Sequence, residues 1–158
     1  MATHQERLRA ARILHRVGLG PRRGQFCAAQ RSSADALVAG LLADVPDPGV
    51  RATPMPDFPY LGRRPSAGSA DLDSYRQAQR RQREGLKLWW LDRMVRTPRP
   101  LEEKMTLFWH GHFVSSEEKL RDYRKIQQQI ETLRKGATGN FGDLLVAVAK
   151  EPAMLVYL

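Results

Sequence analysis

Pro98-Arg99-Pro100-Leu101-Glu102-Glu103-Lys104-Met105-Thr106-Leu107-Phe108-Trp109-His110-Gly111-His112-Phe113-Val114-Ser115-Ser116 is the stretch around which the chain is organised. Its two prolines end whatever precedes them, because the residue before a proline is pushed out of the helical region. Pro100 then suits the first turn of a new helix, where its missing N–H leaves nothing unpaired. Ser115 and Glu118 have capping-box spacing, which predicts another helix just beyond. Between these signals lie two of the four histidines and one of the three tryptophans.

At about 100° per residue, Leu101, Met105, Phe108 and His112 share one helix face, with Trp109 at its edge. His110 falls nearly opposite, beside Glu103 and Thr106. The pattern predicts a buried, neutral His112 next to Met105 and Phe108, and a His110 on the solvated polar side. A helix that grips one metal with two histidines places them at i, i+4. Here the spacing is i, i+2, and Gly111 is the one residue that could break the helix and bring them together. His110 and His112 are still the candidate catalytic groups and candidate metal ligands, since imidazole titrates near neutral pH and joins carboxylates around Zn, Mn or Fe. The residues leave the cofactor unknown.

Upstream, Ser69 or Ser74 opens a long helix running to about Arg96. Leu72, Tyr75, Leu86, Trp89 and Trp90 give it a buried side, while Gln79 and Gln82 leave its middle weakly apolar. Arg76, Arg80, Arg83 and Lys87 recur at i, i+4, i+7 and i+11, which aligns them as one basic stripe and makes them the candidate anion-binding residues. No DNA- or RNA-reading motif and no interleaved exposed aromatics accompany the stripe. Residues 45–70 hold six of the ten prolines, a density that excludes helix and central strand. They read as a long loop that buries Met55, Phe58, Tyr60 and Leu61 against the helices. Nearer the start, Thr3 and Glu6 form a capping box, and Ser33 caps the next helix, where Leu37, Val38, Leu41 and Leu42 supply the expected buried side. Residues 1–31 carry seven arginines against one acid, Glu6, a solvated basic face. Gly18-Leu19-Gly20-Pro21 follows a helix rather than preceding one, which excludes a phosphate loop.

Downstream, Leu120, Tyr123, Ile126, Ile130 and Leu133 form a helical seam with Gln127, Gln128 and Gln129 on its flank. Gly136 and Gly139 stop it. Phe141–Lys150 forms a shorter helix, and Pro152 permits one last turn. No segment alternates with period two, so the fold class is all-α: an irregular bundle of about six helices with one long proline-rich loop.

The net charge of +9, from 26 basic and 17 acidic residues, admits nucleic acid, an anionic membrane or an acidic partner. The lone Cys27 excludes an internal disulfide and reads as a small buried side chain. No apolar run approaches the roughly 20 residues of a transmembrane span, and no secretory core follows the N-terminus. On the sequence the expected location is cytoplasmic.

Three pieces also carry a family resemblance. Arg99-Pro-Leu-x-x-Lys-Met-x-Leu-Phe-Trp-His-x-His-Phe with Ser115-Ser116 resembles the signature of the bacterial family called domain of unknown function 1800. Ala10-Ala-Arg-Ile-Leu-His-Arg-Val-Gly-Leu-Gly-Pro21 resembles the family's opening helix and its exit. Gly139-Asn-Phe-Gly-Asp-Leu-Leu145 with Glu151-Pro-Ala-Met-Leu-Val-Tyr-Leu158 resembles the segment after the histidine helix. Family members are much longer and continue past the counterpart of Leu158 into a motif rich in Asn, Glu and Arg. The resemblance therefore implies that residues 1–158 are the N-terminal helical part of a longer domain, whose missing C-terminal part is the expected partner. The uncapped apolar end at Leu158 points the same way. No reaction comes with the resemblance. Three functions are carried forward: a helical part without a complete active site of its own; a metal-dependent or acid/base enzyme in the full-length protein, using His110 or His112 with downstream carboxylates; and a basic module for nucleic acid or an anionic surface.

Overall fold

Thr3 opens the first helix, α1 (His4–Val17), through a complete capping box: its hydroxyl accepts from the Glu6 N–H, and the Glu6 carboxylate accepts from the Thr3 N–H at 2.6 Å. In the computed structural model the described residues are 3–43, 47 and 52–158, without the side chains of Glu117 and Glu118. They contain helices and no strand, so the fold is all-α. After α1 come α2 (Gln25–Ala29), α3 (Ala34–Leu42), α4 (Leu72–Arg96), α5 (Pro100–His112), α6 (Glu117–Leu120), α7 (Tyr123–Lys135), α8 (Phe141–Ala149) and α9 (Pro152–Tyr157). That is nine helical segments among the described residues against the expected six or so. The excess lies in single-turn pieces such as α2 and α6, which are too short for a periodic pattern to reveal.

Helix α7 is the centre of the C-terminal two thirds, touching α4, α5, α6, α8 and α9. Its seam residues Tyr123, Ile126 and Ile130 pack with Phe58, Leu86, Trp89, Leu120 and Ala153. Lower on the same helix, Leu133 meets Leu144 and Val148 of α8, flanked by Trp109 and Phe113. A methyl-sized group at Gly136 would come 2.7 Å from Leu144 Cδ1, so glycine is what lets α8 lie this close to the end of α7. The N-terminal helices form their own small cluster of Ala10, Leu14 and Ala29 with Leu37. Arg22 ties them to the rest by donating to the carbonyls of Val95 and Thr97, where α4 ends and its last carbonyls lack helical partners.

The proline-rich loop packs on α4 and α7, as expected, but it is held by its backbone more than by its side chains. Its carbonyls accept from side-chain donors on the helices: Thr53 from Trp89 at 3.1 Å, Pro56 from Gln127 at 2.8 Å and Pro59 from Gln82 at 2.7 Å. This explains why two glutamines expected at weak or flanking positions, Gln82 and Gln127, are buried. Phe58 is the large apolar side chain that the loop does bury, and its ring would lie 3.3 Å from a methyl at Gly85, which accounts for a glycine inside α4. Met55 and Tyr60 stay exposed. Residues 45, 46 and 48–51 of the loop lie outside the described residues.

Other local expectations are corrected. Cys27 is exposed, on the outer side of the short α2. Helix α6 begins at Glu117, with the Leu120 N–H donating to the Ser116 carbonyl at 3.1 Å. The Ser115–Glu118 capping box involves a side chain outside the described residues. Ser115 itself donates to the buried Gln129. Among the described residues no helix is long and apolar enough to cross a membrane.

Candidate functional site

Helix α5 is turned the other way round from its hydropathy. Glu103 and Thr106 are fully buried and His110 is half-buried, while Phe108 and His112 are exposed. The grouping of His110 with Glu103 and Thr106 on one face holds; the expectation of a buried His112 does not. His112 lies against a surface aromatic group instead, 4.9 Å from the Phe113 ring and 5.9 Å from Trp109 between centroids.

The inversion has an electrostatic cause. Glu103 sits between two buried arginines contributed by the neighbouring helices. Its Oε1 accepts from Arg93 Nε of α4 and Arg134 Nε of α7, each at 2.7 Å. Its Oε2 accepts from Arg134 Nη2 at 3.2 Å and Trp90 Nε1 at 3.1 Å. Arg93 also reaches Asp47 at 3.4 Å, and Arg134 pairs with Glu131 and lies over the Trp89 ring. A buried carboxylate is tolerable only when paired and hydrogen-bonded, and four donors meet that condition here. Burial works against the Arg134 charge, but the hydrogen bond and attraction from Glu103, followed by those from Glu131, outweigh it and raise its pKa above the ordinary value.

Where α4, α5 and α7 meet beside this cluster, a pocket of about 300 Å³ opens to the surface. Its floor is made of the buried Leu86, Tyr123, Ile126 and Ile130; its rim consists of Arg83, Lys87, Trp90, His110 and Ser115. Trp90 joins the two features: its indole N–H is fixed by Glu103, and its ring stands edge-on to His110 at 5.1 Å. Neither ring nitrogen of His110 is hydrogen-bonded to a described residue, and burial pushes its pKa below the usual imidazole value. The imidazole is therefore neutral at pH 7 and offers one donor and one acceptor.

The sequence candidates thus divide. His110, Arg83 and Lys87 come together at the pocket rim. Arg76 and Arg80 lie exposed further along α4, Arg76 being paired with Asp73 at 3.3 Å. Helix α5 runs unbroken through Gly111, so the two imidazoles stay on different sides, one against Trp90 and one against Phe113. Among the described residues no three His, Cys, Asp or Glu side chains gather as a metal site. Sequence reading missed Trp90, Ser115 and the α7 residues as pocket walls. It took Trp90 and the α7 seam as core, which is what they are on their other sides. The placement of Arg83 and Lys87 one turn before Leu86 and Trp90 respectively was the signal that could have found them.

Residues 12–158 match the family described as Protein of unknown function (DUF1800). The chain belongs to this family. The matched region includes every residue of the buried cluster and of the pocket. No curated protein and no solved structure is significantly similar to the chain.

Proposed function

We propose that this part of the family domain is a binding module for small anionic molecules, with the pocket between α4, α5 and α7 as its site. The observation that carries the reading is the placement of Arg83, Lys87 and His110 on the rim of one otherwise apolar pocket. Lys87 makes no ion pair among the described residues, and it stands i, i+4 from Arg83, so both cations border the same opening. Concave, largely apolar pockets with a few convergent polar groups are the usual form of ligand sites. The basic stripe is thereby divided in two, its Arg83–Lys87 half serving a pocket and its Arg76–Arg80 half facing solvent. A nucleic acid or membrane surface would engage all four.

Calorimetric titration with small anions (acetate, inorganic phosphate, 1-naphthoate) tests this. Lys87→Met should weaken the binding of whichever anion is taken up, and Arg80→Met should leave it unchanged. Equal weakening by both variants, or binding of heparin and single-stranded DNA alone, would return the site to an extended basic surface. The enzyme reading with His110 as a proton-transfer group is favoured by the same half-buried, unpaired imidazole. A His110→Gln variant that binds ligand as the parent does but has lost turnover in the full-length protein would support it.

A further inference from the structure

The pocket's division into an apolar floor and a basic rim carries the reading one step further, to the kind of anion. We infer that the ligand is an amphipathic monoanion: a flat or compact apolar body seated on Leu86, Ile126 and Ile130 beside the Trp90 ring, with a single carboxylate-type head at Arg83 and Lys87. This rests on the small-anion reading above and adds the ligand class to it.

Three observations support it. The floor is made of side chains that belong to the main core, with Ile130 1% and Leu86 6% exposed, so apart from the Tyr123 hydroxyl the bottom of the pocket offers carbon. A compact, strongly hydrated anion such as phosphate would have to shed water there with little compensation. The volume of about 300 Å³ lies at the small end of ligand pockets, enough for one bicyclic or short-chain body and far too little for a polymer. The charge at the rim is also low. His110 is neutral at pH 7, because burial lowers its pKa, so it supplies a hydrogen bond rather than a third positive charge. One carboxylate between two cations, touched by one imidazole, fits that rim better than a dianion does.

Trp90 gives the inference a direct readout. Its ring forms part of the wall, while its N–H is held by Glu103, so a flat body arriving beside it changes the indole's surroundings without moving it. The test compares three probes on the full chain by tryptophan fluorescence and calorimetry: 1-naphthoate, its neutral analogue 1-naphthalenemethanol, and inorganic phosphate. The expected result is saturable binding of naphthoate, with a Kd on the order of 100 µM for so small a ligand. Naphthalenemethanol should bind at least tenfold more weakly, and phosphate should show no saturation in the same range. Lys87→Met should weaken naphthoate five- to tenfold and leave naphthalenemethanol unaffected. Naphthalenemethanol binding as well as naphthoate would overturn the inference, since the head would then contribute nothing. Lys87-dependent binding of phosphate without naphthoate would also overturn it, while leaving the small-anion reading in place. If a fully folded protein binds none of the small anions, both readings fall.

Discussion

Replacing Glu103 with glutamine removes one negative charge and leaves the shape of the side chain almost unchanged. In the parent, the carboxylate receives four hydrogen bonds from Arg93, Arg134 and Trp90, and the two arginine side chains are only 6% and 5% exposed. The amide can still accept at one oxygen, but its NH2 group now faces donors. Two guanidinium groups are left with only the outer carboxylates, Asp47 at 3.4 Å from Arg93 and Glu131 beside Arg134. Breaking a buried pair in this way costs about 3–5 kcal/mol, and the retained acceptor places Glu103→Gln near the lower end. For a chain of this length each kcal/mol moves Tm by about 2–4 °C, so the midpoint should fall by roughly 6–12 °C. Urea unfolding followed by circular dichroism would show a lower midpoint at an unchanged slope. The double variant Glu103→Leu/Arg134→Met should be less destabilised than the two single variants summed, because it removes the orphaned charge along with its partner. A loss below about 1 kcal/mol for Glu103→Gln would refute the idea that this carboxylate orients α5.

Exposed His112 should tolerate truncation, with His112→Ala changing stability by less than about 0.5 kcal/mol in the same assay; a loss of 2 kcal/mol or more would restore the buried reading. Gly136→Ala should cost about 1–3 kcal/mol by overpacking against Leu144, and Gly136→Ala combined with Leu144→Ala should cost less than the two single variants summed. For His110, a folded pKa below the unfolded value means that the unfolded chain binds more protons at acid pH. Stability should therefore be fullest above about pH 6.5 and decline as pH falls from there through the lower folded pKa. His110→Gln should flatten that part of the profile, and an unchanged slope in the variant would show that another group titrates there.

The helices themselves were largely legible, because Thr3, Ser33, Pro100 and Gly136 mark their ends by local chemistry that acts whatever the chain packs against. The orientation of α5 was not. Hydropathy sends Phe108 inward and Glu103 outward, and nothing local to residues 100–112 announces that Arg93 and Arg134 approach from ten and thirty-one residues away. Once they do, three charges and the Trp90 N–H are mutually satisfied only with Glu103 inside, and the helix turns to suit. His110 is carried inward with Glu103, and His112 outward. The glutamines misled for a similar reason: Gln82 and Gln127 look like surface residues until the loop carbonyls they serve are known. The pocket escaped notice because its floor is made of buried residues that hydropathy already assigns to the core.

The way the proline-rich loop is attached has a consequence for how its sequence can drift. The acceptors at Thr53, Pro56 and Pro59 are main-chain carbonyls, present whatever residue occupies those positions, and the discriminating groups are Trp89, Gln82 and Gln127 on the helices. Substitutions in the loop that preserve its extended path should thus be silent, apart from those at Asp47, whose carboxylate pairs with Arg93, and at the buried Thr53 and Phe58. Replacing any of the three donors should release a length of loop at once. The donors lie 36, 23 and 71 residues from their acceptors, the first two on α4 and the third on α7, so the clasp is complete only after α4 and α7 have found each other. It should be the last segment to gain protection from hydrogen exchange during refolding and the first to lose it.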